Sequence, residues 1–125
     1  MTVSISFNGC TESIVSLKEL GEALNRFDEV PQFELWVSAV DGPSMCMLRN
    51  CEHAWLMYLR HEGDSGFTSI GKAGQPGNEE YTLSNGQKDE YPVAWCIQVE
   101  QCYKAIADFY VNDGARPEWI DWLES

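Results

Sequence analysis

The sequence predicts an α+β domain in which an antiparallel sheet of about six strands packs against two helices. Two of the observations behind this prediction are periodic: short apolar/polar alternations separated by turn residues, and two stretches of apolar residues at helical spacing. The third is the length of 125 residues, which suits one hydrophobic core and is short for two. Residues 1–125 are therefore expected to form a single domain.

The chain begins with a predicted strand and a predicted helix. Apolar and polar residues alternate over residues 2–7, as in a half-buried strand, and Asn8-Gly9 ends the alternation with a turn. Ser16 and Glu19 have the spacing of a capping box, in which each side chain accepts a backbone N–H at the start of a helix. Apolar residues at helical spacing follow, so a helix is predicted over residues 17–27.

Further strands are predicted wherever a short alternating or β-prone stretch lies between turn residues. These stretches cover residues 33–40, 45–49, 54–59, 66–71, 80–83 and 91–99. The connections between the first of these strands are short, which favours an antiparallel meander.

A second helix is predicted from Glu100, because five apolar residues recur there on one helical stripe. They are Cys102, Ala105, Ile106, Phe109 and Tyr110. Asp113-Gly114 is typical of a helix C-terminus, and Pro117 prevents continuation. The helix stripes and the apolar end of the chain predict a core that includes Leu20, Leu24, Phe27, Ile106, Phe109 and Trp122.

The chain is strongly acidic, with 20 Asp and Glu against eight Lys and Arg and a net charge of −12. Proteins that bind nucleic acid or anionic membranes directly need a basic surface, so both functions are disfavoured. No stretch approaches the roughly 18 apolar residues of a membrane span, and no signal peptide is visible. We expect a cytoplasmic protein whose acidic surface attracts a basic partner.

No residue pattern in the sequence is typical of an enzyme or a metal site. Cys46, Cys51 and His53 lack the paired short spacings of a zinc site, and no cysteine lies in the context of a nucleophile. Acidic pairs such as Glu79-Glu80 lie in loops that offer few basic residues to hold a phosphate. We therefore expect no catalytic residues, no metal and no cofactor.

Two segments resemble a known protein family. Residues 100–122 combine a helix of the form A-x-x-x-F with a cap at Gly114, then Pro117 and a closing Trp122, and residues 63–71 form a Gly-rich segment in mid-chain. Together they are similar to the immunity protein one family of bacterial polymorphic toxin systems. The resemblance implies a small, acidic, cytoplasmic protein that binds the C-terminal domain of a secreted toxin encoded beside it.

The same resemblance bears on the partner and on the function. Toxins neutralised by that family include nucleic-acid deaminases, among them DNA cytosine deaminases, and nucleases. The implied partner is thus a cognate toxin domain with a basic groove, whose active site the immunity protein occludes. The alternative functions are an acidic nucleic-acid mimic that blocks a DNA-binding or defence protein, and a small metal hydrolase.

The loop-rich middle of the chain, residues 61–90, is predicted to face the toxin. It is rich in glycine and carries six acidic and two basic residues, and loops on a rigid sheet commonly carry recognition. The candidate contact residues, with Phe67 and Tyr81 as aromatic anchors, are Glu62, Asp64, Phe67, Glu79, Glu80, Tyr81, Asp89 and Glu90. The rival surface is the exposed face of strands 33–59, with Trp36 and Trp55 as anchors unless both pack in the core.

Overall fold

Seven strands form one antiparallel sheet in the computed structural model, which describes all of residues 1–125. In chain order the elements are β1 (Val3–Phe7), β2 (Cys10–Ile14), α1 (Leu17–Phe27), β3 (Gln32–Ala39), β4 (Ser44–Asn50), β5 (His53–Leu59), β6 (Phe67–Ser69), β7 (Asn78–Thr82), β8 (Lys88–Pro92), a 3-10 turn (Val93–Trp95), α2 (Val99–Val111) and β9 (Trp122–Glu124). The sheet order is β2-β1-β3-β4-β5-β6-β9, and β7 and β8 form a separate hairpin. The predicted α+β class is confirmed.

Three strand assignments differ from the prediction. The strand β2 was not predicted, because it is an edge strand whose residues are exposed except for Ile14, so no alternation marks it. The strand β9 was not predicted either, because it is only three residues long. The predicted strand over residues 91–99 is wrong: β8 ends at Pro92, and α2 begins at Val99 behind a reciprocal cap made by Gln98 and Gln101.

The helix α1 begins and ends where its sequence predicts. The Ser16 Oγ accepts the backbone N–H of Glu19 at 3.1 Å, which satisfies one of the free donors of the first turn. The Glu19 carboxylate accepts the amide of Val15 at 3.0 Å, one residue earlier than a standard capping box requires. The buried stripe of the helix consists of Leu20, Ala23, Leu24 and Phe27.

The end of α2 is fastened to the sheet through Gly114. The backbone there has a φ of +87°, which glycine adopts without strain, and the Gly114 amide donates to the Phe109 carbonyl at 2.7 Å. The Tyr58 hydroxyl on β5 donates to the Gly114 carbonyl at 2.6 Å. The glycine cap therefore fixes both the end of the helix and its position on the strand.

The main core lies between the two helices and one face of the sheet, which we call the inner face. The inner face contributes alternate residues of β1, β3, β4 and β5, among them Ile5, Leu35, Met47 and Leu56. All the residues of the predicted core are buried except Trp122, which is partly buried and packs against the margin of the core.

Substitution of two glycines by alanine tests the packing around Gly71. A Cβ on Gly71 would overlap the carbonyl oxygen of Cys96, whereas a Cβ on Gly21, on the exposed side of α1, would meet nothing within 4 Å. Gly71→Ala is expected to lower the free energy of unfolding by about 1–3 kcal/mol through overpacking. Gly21→Ala is expected to raise it by about 0.5–1 kcal/mol through helix propensity. Urea denaturation measures both, and equal effects of the two substitutions would contradict the packing at Gly71.

Candidate binding surface

The β7–β8 hairpin lies across the outer face of the sheet, opposite the helices. The Asn50 side-chain amide donates to the Glu79 carboxylate at 3.0 Å and to the Glu80 carbonyl at 2.8 Å. On β3, the Glu34 carboxylate accepts the Ser84 backbone N–H at 2.9 Å. These bonds anchor both ends of β7 to the sheet.

The hairpin and the sheet enclose a second, smaller hydrophobic cluster. Its buried members are Cys46, Leu48, Trp55 and Tyr81. The centroid of the Trp55 ring lies 4.8 Å from that of Tyr91 and 5.0 Å from that of Trp95. Trp55 is thus a core residue, and the hairpin and the 3-10 turn cover it.

The four acidic residues predicted on the hairpin divide into two pairs. Glu80 and Glu90 oppose each other in the β7–β8 register and are exposed on its outer side. Glu79 is half-buried, with its carboxylate bonded to Asn50 and 3.6 Å from His53 Nδ1. Asp89 is also half-buried and accepts hydrogen bonds from neighbours within β8 and its turn. Glu90 is therefore free to meet a partner, and Glu80 has only a long, exposed ion pair with Lys88, at 3.8 Å, which contributes little to the hairpin.

Three further residues predicted as partner contacts are used within the fold. Tyr81 has no exposed surface and its hydroxyl lies 3.4 Å from Cys96 Sγ, so it packs in the interior, contrary to its expected role as an exposed anchor. The Asp64 carboxylate is 4% exposed and accepts three hydrogen bonds from Arg60, which hold its pKa well below the usual range. The Phe67 ring lies beneath the guanidinium group of Arg116, 4.1 Å from its centre, and packs against the main core.

Part of the outer face extends beyond the hairpin and remains partly exposed; we call it the open face. Directly opposed residues in an antiparallel sheet share a face, as do residues two apart in one strand. The cross-strand register therefore places the partly exposed members on one surface: Ser4, Ser6, Trp36, Ser38, Ser44, Met57 and Leu59. Of the two tryptophans of the rival surface, Trp36 reaches this face and Trp55 does not.

Two cavities meet at Trp36 on the open face. One, of about 270 Å³, lies between the sheet and the hairpin, and its lining is mostly apolar, with Trp36, Trp55, Tyr91 and Trp95 among its walls. We call it the aromatic pocket. The other, of about 640 Å³, is lined by polar residues that include Asp41 and Glu62. Glu62 is thus the one loop acid of the predicted set that borders the open face.

Glu34, which is not among the predicted site residues, adds a carboxylate to the open face beside those of Asp41 and Glu62. Burial raises the pKa of its carboxyl, but hydrogen bonds from the Ser84 backbone and the Trp36 indole outweigh burial and lower the pKa below its usual value. The carboxylate is therefore charged at neutral pH. No lysine or arginine lines either cavity. The only sign of Glu34 in the sequence is that it shares an alternation with Trp36.

Three of the five cysteines, Cys46, Cys96 and Cys102, are buried, whereas Cys10 and Cys51 are exposed. Burial raises the pKa of Cys46 well above its usual value, with a further contribution from Glu34, and burial also raises the pKa of Cys102. Both remain protonated thiols at neutral pH, which are poor nucleophiles. Cys51 and His53, the other members of the weak metal pattern, lie apart from Cys46 at the turn that joins β4 and β5, and no group of three His, Cys, Asp or Glu side chains is arranged to hold a metal ion.

The open face is therefore suited to binding another protein, because it offers partly exposed aromatic and apolar side chains beside carboxylates that form no ion pair. Neither helix is long and apolar enough to cross a membrane. No curated protein matches the sequence. The family model described as immunity protein Imm1 matches residues 11–124, which is nearly the whole chain. This match confirms the resemblance noted in the sequence, and the chain belongs to the Imm1 immunity protein family.

Proposed function

We propose that this immunity protein neutralises a nucleic-acid-targeting toxin domain, such as a DNA cytosine deaminase or a nuclease, by covering its active site. Membership of the Imm1 family supports a toxin partner. The single observation that carries the surface is the open face, where Trp36 and Met57 are partly exposed next to Glu34 and no lysine or arginine lines the cavities. The outer side of the hairpin extends this surface with Glu80 and Glu90.

The charge of the chain supports a basic partner. A toxin domain that holds nucleic acid must bind phosphates with lysine and arginine side chains. A protein with a net charge of −12 attracts such a groove at long range, and its carboxylates can then occupy the positions of the phosphates. The site of action is then the cytoplasm of the cell that has to be protected.

The chain is large enough to carry a protein interface of standard size. A standard interface buries about 800 Å² on each partner. The accessible surface of the chain is 6707 Å², so such an interface would cover roughly an eighth of it. We place this interface on the open face and the neighbouring outer side of the hairpin.

A charge-reversal pair tests the proposed surface. We expect Glu80→Lys with Glu90→Lys to lower the association rate with the toxin domain about tenfold at low salt and to flatten its salt dependence. Glu79 is left unchanged because it holds Asn50. The control is Glu22→Lys with Glu29→Lys, which alters two exposed residues on and just after α1 and produces the same net charge.

Stopped-flow measurements with the toxin domain encoded beside the gene separate the possible outcomes. Slower association only in the hairpin variant supports the proposed surface. Equal losses in both variants would show that net charge alone matters. Equally strong inhibition of unrelated DNA-binding proteins would favour an acidic nucleic-acid mimic and contradict a cognate complex.

A further inference from the structure

We propose that the aromatic pocket receives one arginine side chain of the toxin, an inference that rests on the proposed function and specifies how the open face recognises its partner. The pocket is built from Trp36, Trp55, Tyr91 and Trp95, with Glu34 and Thr68 in its wall. Its volume of about 270 Å³ is on the scale of one side chain. Cavities that accept drug-sized ligands are usually larger, about 300–1,000 Å³.

The aromatic rings of the pocket form no cation–π contact with an arginine or lysine of the chain, unlike several other rings of this protein. Elsewhere in the chain, arginine and lysine side chains lie over the rings of Phe27, Phe33, Phe67, Trp119 and Trp122. None lies over the four rings of the pocket, although tryptophan offers the most favourable face for a cation. A cation from another molecule can therefore occupy these faces without displacing one of the chain's own.

The charge of Glu34 selects a basic occupant. Its Oε1 accepts one hydrogen bond, from the Ser84 amide, and its Oε2 accepts one, from the Trp36 indole at 3.0 Å. A carboxylate has about four acceptor positions, so each oxygen can accept another bond. An apolar side chain inserted here would shut off a charged carboxylate from water without a counter-charge, which is costly.

Two residues that line the pocket each carry a buried polar atom with no hydrogen-bond partner within the chain. These atoms are the Thr68 hydroxyl oxygen and the Trp55 Nε1, each in a side chain that is more than nine-tenths buried. Buried polar groups are nearly always hydrogen-bonded, so these two atoms are unusual within this fold. Both belong to residues that line the pocket, next to the Glu34 carboxylate.

Arginine fits these groups better than lysine does. Its guanidinium group is planar, stacks on aromatic rings and offers five donors in a fixed fork that can bind a carboxylate through two parallel bonds. A lysine ammonium is compact and strongly hydrated, and it cannot stack in this way. The combination of aromatic rings without a cation of their own and a charged carboxylate thus fits a guanidinium group.

Titration calorimetry with the toxin domain tests the pocket. We expect Glu34→Gln to weaken binding at least about thirtyfold, because it leaves a buried guanidinium without its counter-charge. Trp36→Leu, which removes a stacking ring but keeps an apolar side chain, is expected to weaken binding about tenfold. The matched controls are Glu22→Gln and Trp119→Leu, which make the same chemical changes away from the open face and should leave the affinity unchanged.

The partner residue is identified by combining each variant with toxin variants in which single arginines are replaced by glutamine. One Arg→Gln variant should weaken binding to the wild-type chain strongly and should have little further effect on binding to the Glu34→Gln chain. Thermal unfolding of both pocket variants checks that they are folded. If the wild-type chain binds the toxin but no arginine couples to Glu34, the pocket assignment is wrong. If the wild-type chain does not bind the toxin at all, the proposed function is wrong.

Discussion

Phe109→Ala is expected to lower the free energy of unfolding by about 3–5 kcal/mol. The side chain has no exposed surface and lies in the stripe of α2 that faces the sheet. Its ring meets the ring of Tyr58 edge to face, with the centroids 6.2 Å apart, and Tyr58 in turn fastens the end of α2. The substitution therefore removes apolar contacts and leaves a cavity where the helix, its glycine cap and the sheet meet.

Urea denaturation followed by circular dichroism measures this loss. Val111→Ala provides the control within the same helix, because that side chain is 58% exposed and its truncation should change the stability by less than about 0.5 kcal/mol. A loss below about 1 kcal/mol for Phe109→Ala would mean that α2 does not pack on the sheet through the face described here.

Trp55→Ala is expected to cost about 3–5 kcal/mol as well, but through the second cluster. The rings of Tyr91 and Trp95 pack on Trp55, so its truncation removes two aromatic contacts between the sheet and the segment that covers it. The hairpin should then open more often while the helix layer stays intact. We expect faster proteolytic cleavage within residues 72–92, measured by mass spectrometry of a limited digest.

Two further variants serve as controls for the effect of Trp55→Ala on stability and on protease resistance. Trp55→Phe should lose less stability than Trp55→Ala, because the ring volume is largely kept and the indole N–H that is lost has no partner in the free chain. Trp119→Ala removes a tryptophan that is 42% exposed and should leave the hairpin as resistant to protease as in the wild type. Unchanged cleavage in the Trp55→Ala protein would show that the second cluster does not hold the hairpin.

The helix layer of this fold could be predicted from the sequence because local signals specify it. Ser16 and Glu19 mark the start of α1, the apolar stripe of α2 repeats at helical spacing, and Gly114 provides the positive φ that ends that helix. Each signal depends on residues within a few positions of one another. The edge strand β2 has no such signal, because an exposed polar strand looks like a loop.

The placement of the hairpin depends on contacts between distant residues, so the sequence alone could not show it. Asn50 reaches Glu79 across 29 positions, and Glu34 reaches Ser84 across 50. The same contacts decide which predicted acids are free: composition reveals the negative charge of residues 61–90, but only the fold shows that Glu79 is occupied. The ion pair of Asp64 with Arg60 could have been predicted from the sequence, because the two residues are only four positions apart.

The proposal that the open face and the outer side of the hairpin bind the toxin is tested most directly by mapping NMR chemical shifts in the complex. The largest changes are expected at the Trp36 indole, at the methyl groups of Met57 and Leu59 and at the amides of Glu80 and Glu90. The exposed residues of the helix layer, such as Leu17 and Val111, should keep the shifts of the free protein. Large changes confined to Leu17 and Val111, with the Trp36 indole unmoved, would place the toxin on the opposite side of the molecule and contradict the proposed surface.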